Sequence, residues 1–147
     1  MARVSVIMGV YNCKNPQLLK KSVDSIIKQT FTDWEFIICN DGSTDDTLQL
    51  LNEVAQSDSR IKVISYQQGR GLAYALNRCI KASTGEYIAR QDHDDISEPT
   101  RFQAKVRFIG YRKFGMLPKA LPYVLKPVLI GLMPQSIFKK IRERQYK

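Results

Sequence analysis

Hydrophobic positions along the chain switch repeatedly between two spacings. Val4 to Val10 is a β-branched, apolar run that reads, from Arg3 onward, as a buried central strand. Leu18, Leu19, Ser22, Val23, Ile26 and Ile27 then recur at helical spacing. Asn15 offers that helix a cap and Pro16 suits its first turn. The polar run Gln29 to Asp33 ends it. Trp34 to Cys39 reads as a second strand, Ile61 to Tyr66 as a third and Glu86 to Gln91 as a fourth. A second helix is predicted from Ser43 or Thr44 to about Gln56, with Asp45 and Asp46 in its first turn, where the dipole favours acids. Leu72, Ala75, Leu76 and Ile80 mark a third helix, stopped by Gly85.

The order β-α-β-α-β-α-β with short loops predicts an α/β, Rossmann-like fold: a parallel sheet with helices on both faces. Ligands of such sheets bind beyond the carboxyl ends of the strands. Three polar loops are expected there: Tyr11-Asn12, Asp41-Gly42 and Asp92 to Asp95.

Asp92-His93-Asp94-Asp95 is the densest chemistry, three carboxylates in four residues. Like charges this close resist ionising together without a cation. In an extended segment residues i and i+2 share a side. Asp92 and Asp94 would then face one Mg²⁺ or Mn²⁺, hard cations that bridge to phosphate oxygens, while His93 points away. A solvated acidic turn capping the next helix through Asp95 or Ser97 explains the same residues, and the tetrad alone does not choose. Asp41, at a strand end, can accept from a ribose hydroxyl or a base N–H. An Asx turn at Asn40-Asp41-Gly42 is the alternative, stronger for Asn40 than for Asp41. No G-x-G-x-x-G or P-loop pattern occurs. Gly69-Arg70-Gly71 has nothing around it that completes a dinucleotide or phosphate loop. A haloacid-dehalogenase-like phosphatase ranks low, because these acids follow the fourth strand rather than the first.

Length and charge divide the chain. Its 147 residues suit one folded domain. Cys13, Cys39 and Cys79 are odd in number and widely spaced, which indicates neither a disulfide framework nor a zinc site. Cys39 and Cys79 are expected in the core, and a reducing cytoplasm is the simplest home. Val4 to Val10 is too short to be a signal peptide. Residues 1–98 carry 11 Lys/Arg against 13 Asp/Glu, whereas residues 99–147 carry 12 Lys/Arg and one acid, Glu143. Two parts are therefore expected: a binding domain over 1–112 and a basic, Pro-interrupted, helical tail over 113–147. Pro118, Pro122, Pro127 and Pro134 with Lys119 and Lys126 interrupt every window long enough to span a bilayer. Apolar residues beside Lys139, Lys140, Arg142 and Arg144 fit a segment lying on an anionic membrane surface. A helix packed on the domain with a solvated basic face is the alternative. Nucleic acid is not expected, since no binding motif accompanies the charge.

Four ordered stretches resemble family 2 glycosyltransferases. Val4 to Asn12 is similar to their opening strand and loop, and Glu35 to Thr47 to their second strand and Asp-Gly-Ser loop. Gly71 to Asn77 and Thr84 to Asp95 complete the set, in order throughout residues 3–102. The resemblance implies a GT-A fold and a nucleotide-sugar donor, most simply a UDP-sugar, with Mg²⁺ or Mn²⁺. Carried over, Val10, Tyr11, Asn12 and Asp41 would hold the nucleoside. Asp92 and Asp94 would meet the metal on the diphosphate, with Arg90 and Asp92 on the donor side. Gly9 stands where proline is common, and His93 where a small residue is usual. The implied activity is glycosylation of a cell-surface polysaccharide or lipid-linked acceptor, at the cytoplasmic face of the membrane. Family members continue into an acceptor-side subdomain that supplies a catalytic base. Here the chain runs from Phe102 into the tail, and Asp95 and Glu98 are the nearest spare acids. The other expectation is thus a shortened donor-binding remnant or non-catalytic partner.

Overall fold

The structure, a computed structural model, describes residues 2–104, 106 and 132–134. In chain order the elements are β1 (Val4–Val10), α1 (Pro16–Ile27), β2 (Trp34–Asp41), α2 (Thr47–Gln56), β3 (Ile61–Tyr66), α3 (Leu72–Ala82), β4 (Tyr87–Arg90) and β5 (Leu132–Pro134). The sheet order is β3-β2-β1-β4-β5. The first four strands are parallel, and β5 is antiparallel to β4. The chain steps outward from β1 to β3, then α3 carries it back across the sheet to place β4 on the other side of β1. The order reverses between β1 and β4, which makes that junction the switch point where ligands of open α/β sheets gather.

The side-chain alternation of β1 divides the core. Val4, Val6, Met8 and Val10 pack with Leu19, Val23 and Ile26 of α1 and with Leu51 and Val54 of α2. Ile7 faces the other way, among Ala75, Cys79 and Ile80 of α3. A strand covered on both faces must be apolar at successive positions, which is why β1 and β2 read as continuous runs. Burying each Val, Ile or Leu here contributes about 1.5–3 kcal/mol. Cys39 and Cys79 are both fully buried, as expected of small core residues. Helix α1 starts as its sequence suggests: Asn15 Oδ1 accepts from Leu18 N at 3.1 Å, and Pro16 opens the first turn.

Two expectations are corrected. Helix α2 begins at Thr47, not at Ser43 or Thr44, and no acid lies in its first turn. Ser43 and Thr44 instead hold the loop after β1: Ser43 Oγ accepts from Asn12 N (3.0 Å) and Thr44 N donates to Asn12 Oδ1 (2.9 Å). The tail was expected to be helical, yet residues 132–134 form a strand along β4, with Ala89 opposite Leu132. The rest of the tail, including Glu143 and the basic segment, lies outside the described residues. Among the described residues no helix is long and apolar enough to cross a membrane.

At the amino ends of the strands lies a polar lock with no signature in the sequence. Glu35 is 5% exposed on β2. Its Oε1 accepts from Ser5 Oγ (2.7 Å), Thr84 N (2.6 Å) and Thr84 Oγ1 (2.8 Å), and its Oε2 accepts from Lys62 Nζ (3.1 Å). These bonds tie β1, β2, β3 and the entry to β4 at one carboxylate. Burial alone would raise its pKa, but the donors more than reverse that and lower it from 4.5 to about 2. A depressed folded-state pKa stabilises the fold above the unfolded value, and that contribution is lost as pH falls through the folded one. Glu35→Ala is expected to cost about 1–3 kcal/mol at neutral pH, because Ser5 and Thr84 lose their acceptor. Denaturant unfolding between pH 5 and about 2 should show a stability loss in the native chain that Glu35→Ala lacks; parallel pH profiles would refute the lock.

Candidate functional site

The carboxyl ends of β1, β2 and β3 open into a cleft of about 690 Å³. Gly9, Val10, Tyr11, Leu72 and Ala75 give it an apolar wall, and Asp41, Thr44, Gln67 and Gln68 a polar one. Tyr11 is 58% exposed at its mouth, a flat face ready for stacking. Asn12 takes a left-handed φ of 45°, and its side chain is clamped by Thr44 N, so the first loop is fixed to the second. Cys13 N also donates to Thr47 Oγ1 at 2.8 Å.

Asp41 is 4% exposed and organises the cleft from below. Its Oδ1 accepts from Arg70 N at 3.0 Å and its Oδ2 from Gly71 N at 2.6 Å. Gly69-Arg70-Gly71, which completes no phosphate motif, is therefore a loop folded onto the Asp41 carboxylate. Gly42 makes the approach feasible. Its φ is +71°, and a β-carbon there would lie 2.4 Å from Gly69 N. A carboxylate accepting two amides keeps further lone-pair positions for a ligand donor. Asn40 behaves as the turn reading expects: its Oδ1 accepts from Ser43 N (3.3 Å), and its amide donates to Ser65 Oγ (2.9 Å).

On the far side of β1, the acids are arranged differently from the extended geometry inferred for them. Strand β4 stops at Arg90, and Asp95 N donates to Asp92 O at 3.2 Å, closing a turn over residues 92–95. The alternation that put Asp92 and Asp94 on one side does not hold in a turn. Neither Asp95 nor Ser97 caps the next helix: residues 101–104 are helical, and Thr100 O accepts from Ala104 N. Both Asp92 oxygens are held by Arg90, through Nε at 2.9 Å and Nη2 at 3.0 Å. That pair is open to water, with side chains 51% and 40% exposed, and is worth only about 0–1 kcal/mol. Asp94, Asp95 and Glu98 are exposed.

Beneath the turn lies a buried network that pattern reading did not find. Arg101 Nη1 donates to Gln91 Oε1 and to Ser97 Oγ, both at 2.6 Å, and its Nη2 donates to Arg90 O at 2.8 Å. Gln91 Nε2 donates to Ser22 Oγ (3.1 Å) and to Asp95 O (2.8 Å), and Ser22 Oγ donates to Asp92 O (2.9 Å). Burial lowers the Arg101 pKa from its ordinary value, while Asp95 and Asp92 act to raise it. A guanidinium thus sits behind the acidic turn and fixes its backbone. The only available signal was a polar Gln91 closing an apolar strand.

The cleft and the acid turn are neighbours across the switch point, and the chain carrying them resembles known proteins. A family model described as glycosyl transferase family 2 matches residues 5–129. EpsE of Bacillus subtilis, named a glycosyltransferase, is 46% identical over 108 residues, covering 73% of this chain and 38% of EpsE. WfaP of Escherichia coli, a UDP-Glc:alpha-D-GlcNAc-diphosphoundecaprenol beta-1,3-glucosyltransferase, is 38% identical over 113 residues, 77% of this chain and 43% of WfaP. Among solved structures, S. aureus TarS in complex with UDP-GlcNAc aligns with a TM-score of 0.67 at 26% identity, over 77% of this chain and 32% of that one. The Pyrobaculum calidifontis mannosyltransferase PcManGT, in complex with GDP-Man and Mn²⁺, has a TM-score of 0.66 at 24% identity, over 73% of this chain and 32% of that one, and speaks for the fold alone. The chain spans less than half the length of these relatives. Its sheet and helices have the GT-A form, and by the match over residues 5–129 it belongs to glycosyl transferase family 2.

Proposed function

We propose that this chain holds the donor half of a glycosyltransferase site, taking a nucleotide sugar, UDP-linked by preference, with Mg²⁺ or Mn²⁺. The observation that carries the proposal is the Asp41 carboxylate at the floor of a half-apolar cleft, with the acid turn across the switch point. Tyr11 and Leu72 would pack on the base, and Asp41 would accept a base or ribose donor. Asn12, held in place by Thr44, would shape the pocket edge with Val10.

The acid side suits a hard cation. Among the described residues no three His, Cys, Asp or Glu are gathered into a metal cage. Asp92 and the exposed Asp94 offer two carboxylates, and Mg²⁺ or Mn²⁺ ordinarily uses one or two together with water and substrate phosphates. When bound, such a cation neutralises charge on the diphosphate leaving group. The Arg90 clasp on Asp92 is weak enough to open, which would free the guanidinium for the diphosphate and the carboxylate for the cation. Arg101 keeps the turn in shape throughout.

A second reading, donor binding without efficient transfer by this chain alone, has its own support. Asp95 and Glu98 are the nearest spare acids to Asp92 and Asp94; Asp95 closes the turn and Glu98 follows it, both on what would be the leaving-group side. Glu98 O accepts from Gln29 Nε2 at 2.7 Å, which ties that backbone to the end of α1, and Glu98 does not line the cleft. A base must reach the acceptor hydroxyl on the opposite face of the sugar. The acceptor itself, a glycan or a lipid-linked sugar, and the membrane surface belong to this proposal. The 12 Lys/Arg of residues 99–147 support a peripheral place at an anionic, cytoplasmic leaflet.

Binding of UDP is expected to be tighter with Mn²⁺ than with EDTA by calorimetry, and Asp94→Ala should remove that difference. Equal affinities in the unaltered chain would refute the metal role. Asp41→Ala should weaken UDP by at least about tenfold and speed hydrogen exchange at the Arg70 and Gly71 amides, whose acceptor is lost. Unchanged exchange would show that Asp41 does not hold the loop. In sugar transfer, the purified 147-residue chain is expected to be slower than a full-length relative by about 10²–10⁴-fold, the cost of lacking a positioned base. Rapid transfer would sink this reading, and Asp95→Asn and Glu98→Gln would then identify the base. Co-sedimentation with anionic vesicles should require residues 113–147 and fade with salt; equal pelleting by residues 1–112 would remove the tail as anchor.

A further inference from the structure

Gly9 is the one position of β1 without a side chain, and it stands where the strand enters the cleft. A β-carbon there would lie 2.8 Å from Leu72 Cδ1 and 3.2 Å from Ala75 Cβ. The first turn of α3 is therefore packed into the space that a side chain at position 9 would take. Ala75 is fully buried in that contact, whereas Leu72 is 47% exposed and lines the cleft. Helix α3 is not free to retreat. Gly71 N is tied to Asp41 at 2.6 Å, and Gly71 O accepts from Tyr74 N and Ala75 N at 3.0 and 3.1 Å. Any bulk added at position 9 is relieved at the tip of Leu72, the flexible partner, and the open space beside that tip is the cleft.

We infer that the Gly9–Leu72 contact sets the room for the base and selects a one-ring base over a two-ring base, uracil over guanine. The inference rests on the donor reading above. Asp41 offers a ligand only acceptor positions, and uracil and guanine both present a ring N–H, so the carboxylate alone does not separate them. Gln67 and Gln68 are exposed, and their amides can each donate or accept, so they suit either base. Bulk is the remaining discriminator. Leu72 on Gly9 forms one wall. Tyr11 forms another, and its Cε2 stands at van der Waals distance, 3.6 Å, from where a β-carbon at Gly69 would lie.

The test is calorimetry with Mn²⁺ and either UDP or GDP, on the unaltered chain, Leu72→Ala, Gly9→Ala and the double variant, with thermal unfolding to confirm folding. The unaltered chain should prefer UDP, and Leu72→Ala should shrink that preference by about tenfold, the scale at which apolar pockets discriminate bulk. Gly9→Ala should weaken UDP by about tenfold through overpacking. The double variant should regain most of that loss, because the displaced tip is gone. A preference unchanged in Leu72→Ala, or a double variant no better than Gly9→Ala, overturns the inference. If Gly9→Ala does not fold, the Leu72→Ala preference alone decides. Unaltered chain that binds GDP as tightly as UDP overturns the inference and leaves the donor reading standing. Unaltered chain that binds neither overturns the donor reading itself.

Discussion

The Asp41 carboxylate and the two amides that close on it govern the geometry of the cleft. A carboxylate this buried is tolerated only when its oxygens are paired, and the Arg70 and Gly71 amides supply the pairing from 29 and 30 residues away. Several features then follow from one contact. The loop after β3 must lie on the loop after β2, so position 42 must do without a β-carbon. The start of α3 is fixed by Gly71, which sets where Leu72 and Ala75 meet β1. Because α3 is the crossover that returns the chain to β4, the same anchor bears on where the acid turn emerges.

What could be read in the chain was whatever depends on near neighbours in sequence. The runs Val4–Val10 and Ile61–Tyr66 and the helical spacing of Leu72 to Ile80 specify their elements through local burial, and the structure places them so. The cap by Asn15 is equally local. Features set by distant partners were missed. Ser43 and Thr44 look like a helix start, but Asn12, about 31 residues earlier, claims their donors and acceptors and delays α2 to Thr47. Glu35 carries no local signal of its role, which is set where Ser5 and Thr84 converge on it. Gly69-Arg70-Gly71 was set aside because it fits no phosphate motif, whereas its role is toward a carboxylate of the protein itself.

The acids after β4 show why spacing alone could not settle their geometry. Extended and turned backbones place Asp92 and Asp94 differently, and the choice is made by residues outside the tetrad. Gln91 and Arg101 bind the turn through its backbone and through Ser97, and Ser22 of α1 holds the Asp92 carbonyl. The half-buried Arg101 guanidinium behind the turn, with neutral oxygens as its direct partners, also attracts the Asp95 and Asp92 carboxylates.

The two sides of the site thus differ in stiffness, and the difference has a physical origin. On the Asp41 side, backbone amides meet a buried carboxylate, glycines permit contact at backbone distance, and an apolar helix turn packs on β1. Of these, only the tip of Leu72 adjusts cheaply. On the acid side, the backbone is held from beneath while the side chains Arg90, Asp92, Asp94 and Asp95 face water, paired only as strongly as exposed ions allow. A base is a rigid plane that rewards a preformed slot. A diphosphate is flexible and highly charged, and it needs side chains that can exchange partners as charge arrives and leaves. The stiff side lies at the ends of β1 to β3 and the adjustable side after β4, so the boundary between them is the switch point where the strand order reverses.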